Sequence, residues 1–168
     1  PSPNARGLSA VTRYGASRFS DLYCSRQSMF LRTLAKLIAQ QRKAEHSSAL
    51  ALLAGKQADY ASAQVTWTPG GEFASHAFPR QALSLAWDFA DTVPFADAAG
   101  SLLGSLEWIT RVVEANNSVN VGQVQQADAA AHPLPSETAA VWFTDPPYYD
   151  AIPYADLADY FLVWLRRA

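Results

Sequence analysis

An apolar run, Ala139-Ala140-Val141-Trp142-Phe143-Thr144, stops at Asp145 and is followed at once by Pro146-Pro147-Tyr148-Tyr149-Asp150. A proline fixes its own φ and pushes the residue before it out of the helical region, so Asp145 and Pro146 are both extended and no helix can absorb them. The six residues before the acid are short, apolar and rich in β-branched and aromatic side chains. That pattern predicts a buried strand delivering Asp145 to the carboxyl end of a sheet, the edge at which open α/β sheets bind ligands. The expected fold class is α/β.

Such a loop suits a flat, aromatic, amino-bearing group. An exocyclic amine on a purine or pyrimidine is a poor nucleophile because its lone pair is delocalised into the ring. Two acceptors on its N–H bonds localise that pair. The Asp145 carboxylate supplies one and the Pro146 carbonyl the other, held outward because Pro147 forbids the helical turn that would consume it. The Tyr148 ring can stack on the base, an interaction worth about 1–3 kcal/mol. Against this stands a plainer reading: Asp-Pro-Pro also opens ordinary loops, and tyrosines beside prolines cover sheet edges.

Asp145-Pro146-Pro147-Tyr148 after an apolar strand resembles the catalytic motif of amino-group methyltransferases that use S-adenosylmethionine. The longer run from Thr144 to Asp150, continuing into Tyr154-Ala155-Asp156-Leu157 and Trp164-Leu165-Arg166-Arg167, is similar to bacterial adenine-specific DNA methylases that carry a zinc ribbon. The resemblance implies a partial Rossmann-like methyltransferase domain, several helices packed on a small, mainly parallel sheet. It implies catalytic roles for Asp145, Pro146, Pro147 and Tyr148 on a flipped adenine of DNA, with Tyr149, Asp150 and Tyr154 beside the substrate. It also implies that a glycine-rich cofactor loop, a ribose-binding acid and the zinc ribbon belong to a missing upstream part of the same polypeptide.

Two further segments resemble that family. Ser20-Asp21-Leu22-Tyr23-Cys24-Ser25-Arg26-Gln27 is similar to a run that opens a helix there. By this resemblance Arg26 and Gln27 line the cofactor site, where the partial positive charge of a helix amino terminus suits a ligand carboxylate. Capping and solvation of the first turn account for the same two residues. Trp87-Asp88-Phe89-Ala90-Asp91, with Pro94-Phe95 beyond, resembles an aromatic-rich run ending in an acid and Asn-Pro. It departs from that run with Asp91 in place of glutamate and Val93 in place of asparagine, and packing by Trp87 and Phe95 is the competing explanation.

A chain of 168 residues, 49% hydrophobic and 17% charged, has room for one domain with a core. The net charge of −2 gives no global basic field that would draw it to nucleic acid. A single cysteine, Cys24, excludes an internal disulfide and a cysteine zinc cluster, and no apolar run reaches the length of a membrane span. The three histidines have no ligand-like spacing, so no metal site is expected. A reducing, cytoplasmic setting follows.

Organisation is expected as one partial catalytic domain: residues 1–19 a loop or connection, 20–118 mainly helical, and 119–168 a strand, loop, strand and helix bearing the motif. A helix capped by Ser25 buries Met29, Phe30, Leu34, Leu37 and Ile38. A second follows over 45–60. Residues 64–68 read as a short β run ended by a turn at Pro69-Gly70-Gly71, and 83–89 as strand or helix. Gly100 opens a helix with an apolar face from Leu102 to Val113. Residues 119–126 alternate as a strand ending at Asp128-Ala129. By the resemblance this acid and its neighbour contact the cofactor's adenine, and a solvated turn aspartate explains it as well. The last helix, from about Tyr154 to Arg167, has Leu157, Tyr160, Phe161, Trp164 and Leu165 on one face.

Three functions compete: N6-methylation of adenine in DNA with S-adenosylmethionine; the same chemistry on an RNA base or a glutamine amide; and a structural or binding fragment without activity of its own. The aspartate at the head of the motif favours a nucleobase, since an asparagine often stands there in the enzymes of the second class.

Overall fold

The computed structural model describes residues 11–41, 43–116, 125–131, 133–149 and 151–168. Among these, regular structure is mostly helical: α1 Ser25–Ala39, α2 Ala44–Tyr60, α3 Leu102–Ala115 and α4 Tyr154–Leu165. The described strands are two residues each, β1 Trp67–Thr68 and β2 Phe73–Ala74, paired antiparallel around the turn at Pro69–Gly71. The expected Rossmann-like α/β fold with a mainly parallel sheet is therefore incorrect.

The physical reason lies in the run meant to form the central strand. A strand exists only when a neighbour takes up its N–H and C=O groups. No described strand lies beside residues 139–144, and they run through solvent without regular structure, Val141 80% and Phe143 92% exposed. The strand expected over 119–126 falls largely outside the described residues, and residues 125–128 are irregular and exposed. Residues 83–89 form neither helix nor strand.

Helix α2 is the centre of the assembly, packing against α1, α3 and α4. An α-helix leaves its last four carbonyls without intrahelical partners, and at this end each finds one. Gln57 O accepts from Ala61 N at 2.8 Å, and Asp59 O from Ala77 N at 2.7 Å. Ala58 O accepts from the Tyr160 hydroxyl at 2.7 Å, and Tyr60 O from Thr92 Oγ1 at 3.4 Å. One helix terminus thus ties down α4 and two loops. The Gln57 side chain, 1% exposed, adds α3: its Nε2 donates to Gly100 O at 3.1 Å and to Ser105 Oγ at 3.0 Å. Ser101 caps α3 by accepting from Gly104 N at 3.2 Å. Gly100 precedes it at φ +81°, with the Tyr60 ring where a Cβ would stand.

The core is an aromatic cluster. Tyr160 is fully buried, stacked on Tyr23 at 5.8 Å between centroids and met edge-on by Phe78 at 4.9 Å. Trp164 Nε1 donates to the Tyr23 hydroxyl at 2.8 Å. Buried aromatic rings with satisfied polar tips combine large apolar area with fixed geometry. Burial pushes the Tyr23 and Tyr160 hydroxyls well above the usual tyrosine range. The expected stripe of α4 is thus core at Tyr160 and Trp164, while Leu165 stays 40% exposed.

Helix α1 forms where expected but turned. Its N-cap is Cys24, with Ser25 the first helical residue. It buries Leu31, Ala35 and Ile38, and leaves Met29 67% and Leu37 54% exposed. Residues 11–14 and 19–22, ahead of it, form short 3-10 helices that place Val11 and Leu22 in the core.

Candidate functional site

Two places gather the residues singled out by sequence. The first is the loop entering α4. Asp145, Pro146 and Pro147 lie in an exposed segment without regular structure, and Asp145 pairs with no cation among the described residues. Tyr148 is 62% and Tyr149 fully exposed. Tyr154, the first residue of α4, accepts a hydrogen bond from Tyr148 N to its hydroxyl at 3.2 Å, so the helix holds the end of the motif. Asp150 lies outside the described residues. A hollow of about 340 Å³ precedes the motif, lined by residues 134–139 and Trp142, and Asp145 is not part of its wall. The acid therefore faces solvent rather than the mouth of a sheet. Both carboxylate oxygens can accept, as the chemistry of an amine-gripping loop needs.

The second place is a cleft of about 270 Å³ at the start of α1, walled by Phe30, Ala61, Val93 and Pro94 and edged by Arg26, Gln27 and Asp91. Arg26 and Asp91 form an ion pair across it, and the hydrogen bond that the guanidinium donates to that carboxylate is the main reason it sits above its ordinary pKa. Cys24 Sγ lies 3.9 Å from both Asp91 oxygens. Gln27, 3% exposed, accepts from Cys24 N through Oε1 at 2.9 Å, which closes the first turn of α1. The capping explanation of Gln27 is thus met. Its Nε2, buried, donates to nothing among the described residues.

The folding of the chain brings Arg26 and Gln27 to Asp91, which lies in the segment whose resemblance departs at Asp91 and Val93. The signal was weak because the contact joins residues 65 apart. Trp87 and Phe95, offered as packing residues, are 85% and 71% exposed and meet the rings of Tyr14 and Phe30 edge-on. Asp128 does not join this cleft. It sits in an exposed turn, Oδ1 accepting from Ala130 N at 2.9 Å, as the plainer reading of a turn aspartate has it. Ala129 begins the short helix Ala129–Ala131 beside it. The motif residues Asp145 to Tyr148 do not line the cleft either.

Among the described residues no group of three or more His, Cys, Asp and Glu side chains is placed to hold a metal ion. Within the same residues no helix is long and apolar enough to cross a membrane. Comparison of the chain with protein-family models, with curated proteins and with solved structures finds no match in any of the three.

Proposed function

We propose that the chain is the base-handling part of an S-adenosylmethionine-dependent methyltransferase acting on the N6 amine of adenine in DNA. The observation that supports this reading is the Asp145-Pro146-Pro147-Tyr148 loop: an unpaired acid, two residues barred from helix, and an open tyrosine ring anchored at its N–H by Tyr154. Asp145 accepts one N–H of the amine and the Pro146 carbonyl the other, so the nitrogen lone pair is directed out of the ring. Tyr148 stacks on the base, with Tyr149 and Tyr154 beside it. Unstacking the base from its helix costs a few kcal/mol, which this stacking offsets. With the nitrogen so held, Asp145 is placed to take the surplus proton that the amine would shed on methylation.

The cofactor supplies an electrophilic methyl on a sulfonium sulfur. Its amino-acid end is assigned to the cleft at the start of α1, where the Gln27 Nε2 lacks an acceptor among the described residues that a carboxylate would provide. Asp128 and Ala129 are left without a part in that fit. A cytoplasmic setting accords with a DNA substrate.

A second reading has its own support: the motif and the cleft have no residue in common, which is what a binding fragment without turnover would look like. The experiment is a methyl-transfer assay with labelled S-adenosylmethionine, offering DNA, RNA and glutamine-bearing protein side by side to the whole polypeptide and to its Asp145→Ala variant. Transfer to adenine in DNA, lost in the variant while cofactor binding by calorimetry persists, is expected. Methylation retained by the variant removes the proposal. Transfer to RNA or protein redirects it, and binding without any transfer leaves the second reading.

A further inference from the structure

The outer face of α1 is a place that neither the motif nor the cleft uses. Helix α1 runs fifteen residues with Arg26, Arg32 and Lys36 and no acid at all. A groove of about 810 Å³ follows this face, lined among others by Ser25, Ser28, Arg32, Thr33, Lys36 and, across from the helix, Arg167 at the end of α4. Among the described residues no carboxylate lines it. Arg32, Lys36 and Arg167 form no ion pair among the described residues, whereas Arg26 is taken by Asp91 and Arg111 by Glu107. Three unneutralised cations with hydroxyls between them are thus collected in one concave surface, on a chain whose net charge is −2. Cations with Ser and Thr hydroxyls are the groups that proteins place on phosphate oxygens.

We propose that this groove carries the sugar–phosphate backbone of duplex DNA, on one side of the base held at Tyr148. The assignment of DNA, rather than another polyanion, rests on the function proposed above. Helix α4 sets the distance between the two places. Its first residue, Tyr154, touches the motif, and Arg167 lies thirteen residues on, about 20 Å along a helical rise. That span is about six base pairs of duplex. The groove therefore meets the backbone within about six base pairs of the target adenine, on one flank only.

The test is fluorescence anisotropy of labelled duplexes on the full chain, titrated at several salt concentrations. Each of Arg32→Ala, Lys36→Ala and Arg167→Ala is expected to lower the slope of log affinity against log salt by about 1, and the triple variant by about 3. Arg111→Ala, whose partner is Glu107 on α3, leaves the slope unchanged. Duplexes cut back to the adenine on one flank lose the same increment, and those cut back on the other flank do not. An unchanged slope in the triple variant, with circular dichroism showing it folded, overturns the proposal. So does binding of the chain to anionic phospholipid vesicles but not to DNA. Failure of methyl transfer is a separate result: if groove variants shift the salt slope while the unaltered protein transfers no methyl group, the backbone track stands and the enzymatic reading falls.

Discussion

Tyr160→Phe removes one oxygen atom from the centre of the molecule, and its effect can be worked from the surroundings of that oxygen. The hydroxyl donates to Ala58 O at 2.7 Å, one of the last four carbonyls of α2. Tyr160 is fully buried and Ala58 likewise, so water does not readily replace the lost donor. Leaving a buried acceptor unsatisfied costs about 1–3 kcal/mol, while the ring and its contacts with Tyr23, Phe78 and Phe161 stay. For a chain of this size each 1 kcal/mol moves Tm by about 2–4 °C. Tyr160→Ala removes the ring as well and is expected to cost about 3–5 kcal/mol. Urea denaturation of the three proteins, with Tm from calorimetry, measures both steps. A Tyr160→Phe variant within about 0.5 kcal/mol of the original would falsify the claim that this hydroxyl joins α4 to the end of α2.

Two further perturbations follow from the same core and its edges. The Tyr23 and Tyr160 hydroxyls are raised in the folded state, so folding retains protons that the unfolded chain gives up; stability is fully present below the ordinary tyrosine pKa near 10 and falls as pH rises above it. The slope is about 1.4 kcal/mol per pH unit for each of the two, and tyrosinate absorbance during alkaline titration should show them ionising only as helical circular dichroism is lost. Titration of every tyrosine ahead of unfolding would contradict this. Gly100→Ala should cost more than Gly15→Ala in thermal unfolding: both glycines have positive φ, at +81° and +94°, but a Cβ at Gly100 runs into Tyr60 and one at Gly15 meets nothing within 4 Å. Backbone strain alone is about 1–3 kcal/mol, and equal losses at the two sites would refute the contact.

The helices were legible because their evidence is local. Residues 45–60 and the Tyr160 and Trp164 face of α4 have the period of a helix within a few turns, and the structure has helices there. The face of α1 was misread because Met29 and Leu37 are as apolar as Leu31 and Ile38; which of them is buried depends on where α2 and α4 lie. The sheet failed for a related reason. A run such as residues 139–144 specifies only that it can be a strand, and pairing is decided by a neighbour elsewhere in the chain. Of the candidate site, the Asp145 to Tyr148 loop was legible from two prolines, since their effect on the backbone needs no partner. The Arg26–Asp91 pair was not, because nothing in either short segment names the other.

The bare stretch before the motif has a consequence for how the chain behaves in concentrated solution. Ala139 to Thr144 has no charge and no proline, and runs exposed and outside any described strand over six residues. Segments of this length and make-up are the ones that stack between molecules into cross-β ladders. What blocks that route is the pair of borders: Pro135 and Glu137 on one side, Asp145, Pro146 and Pro147 on the other, each adding a charge or removing a donor where a ladder would have to grow. The prolines and the acid that open the Asp145 to Tyr148 loop thus stand where gatekeepers of solubility are placed.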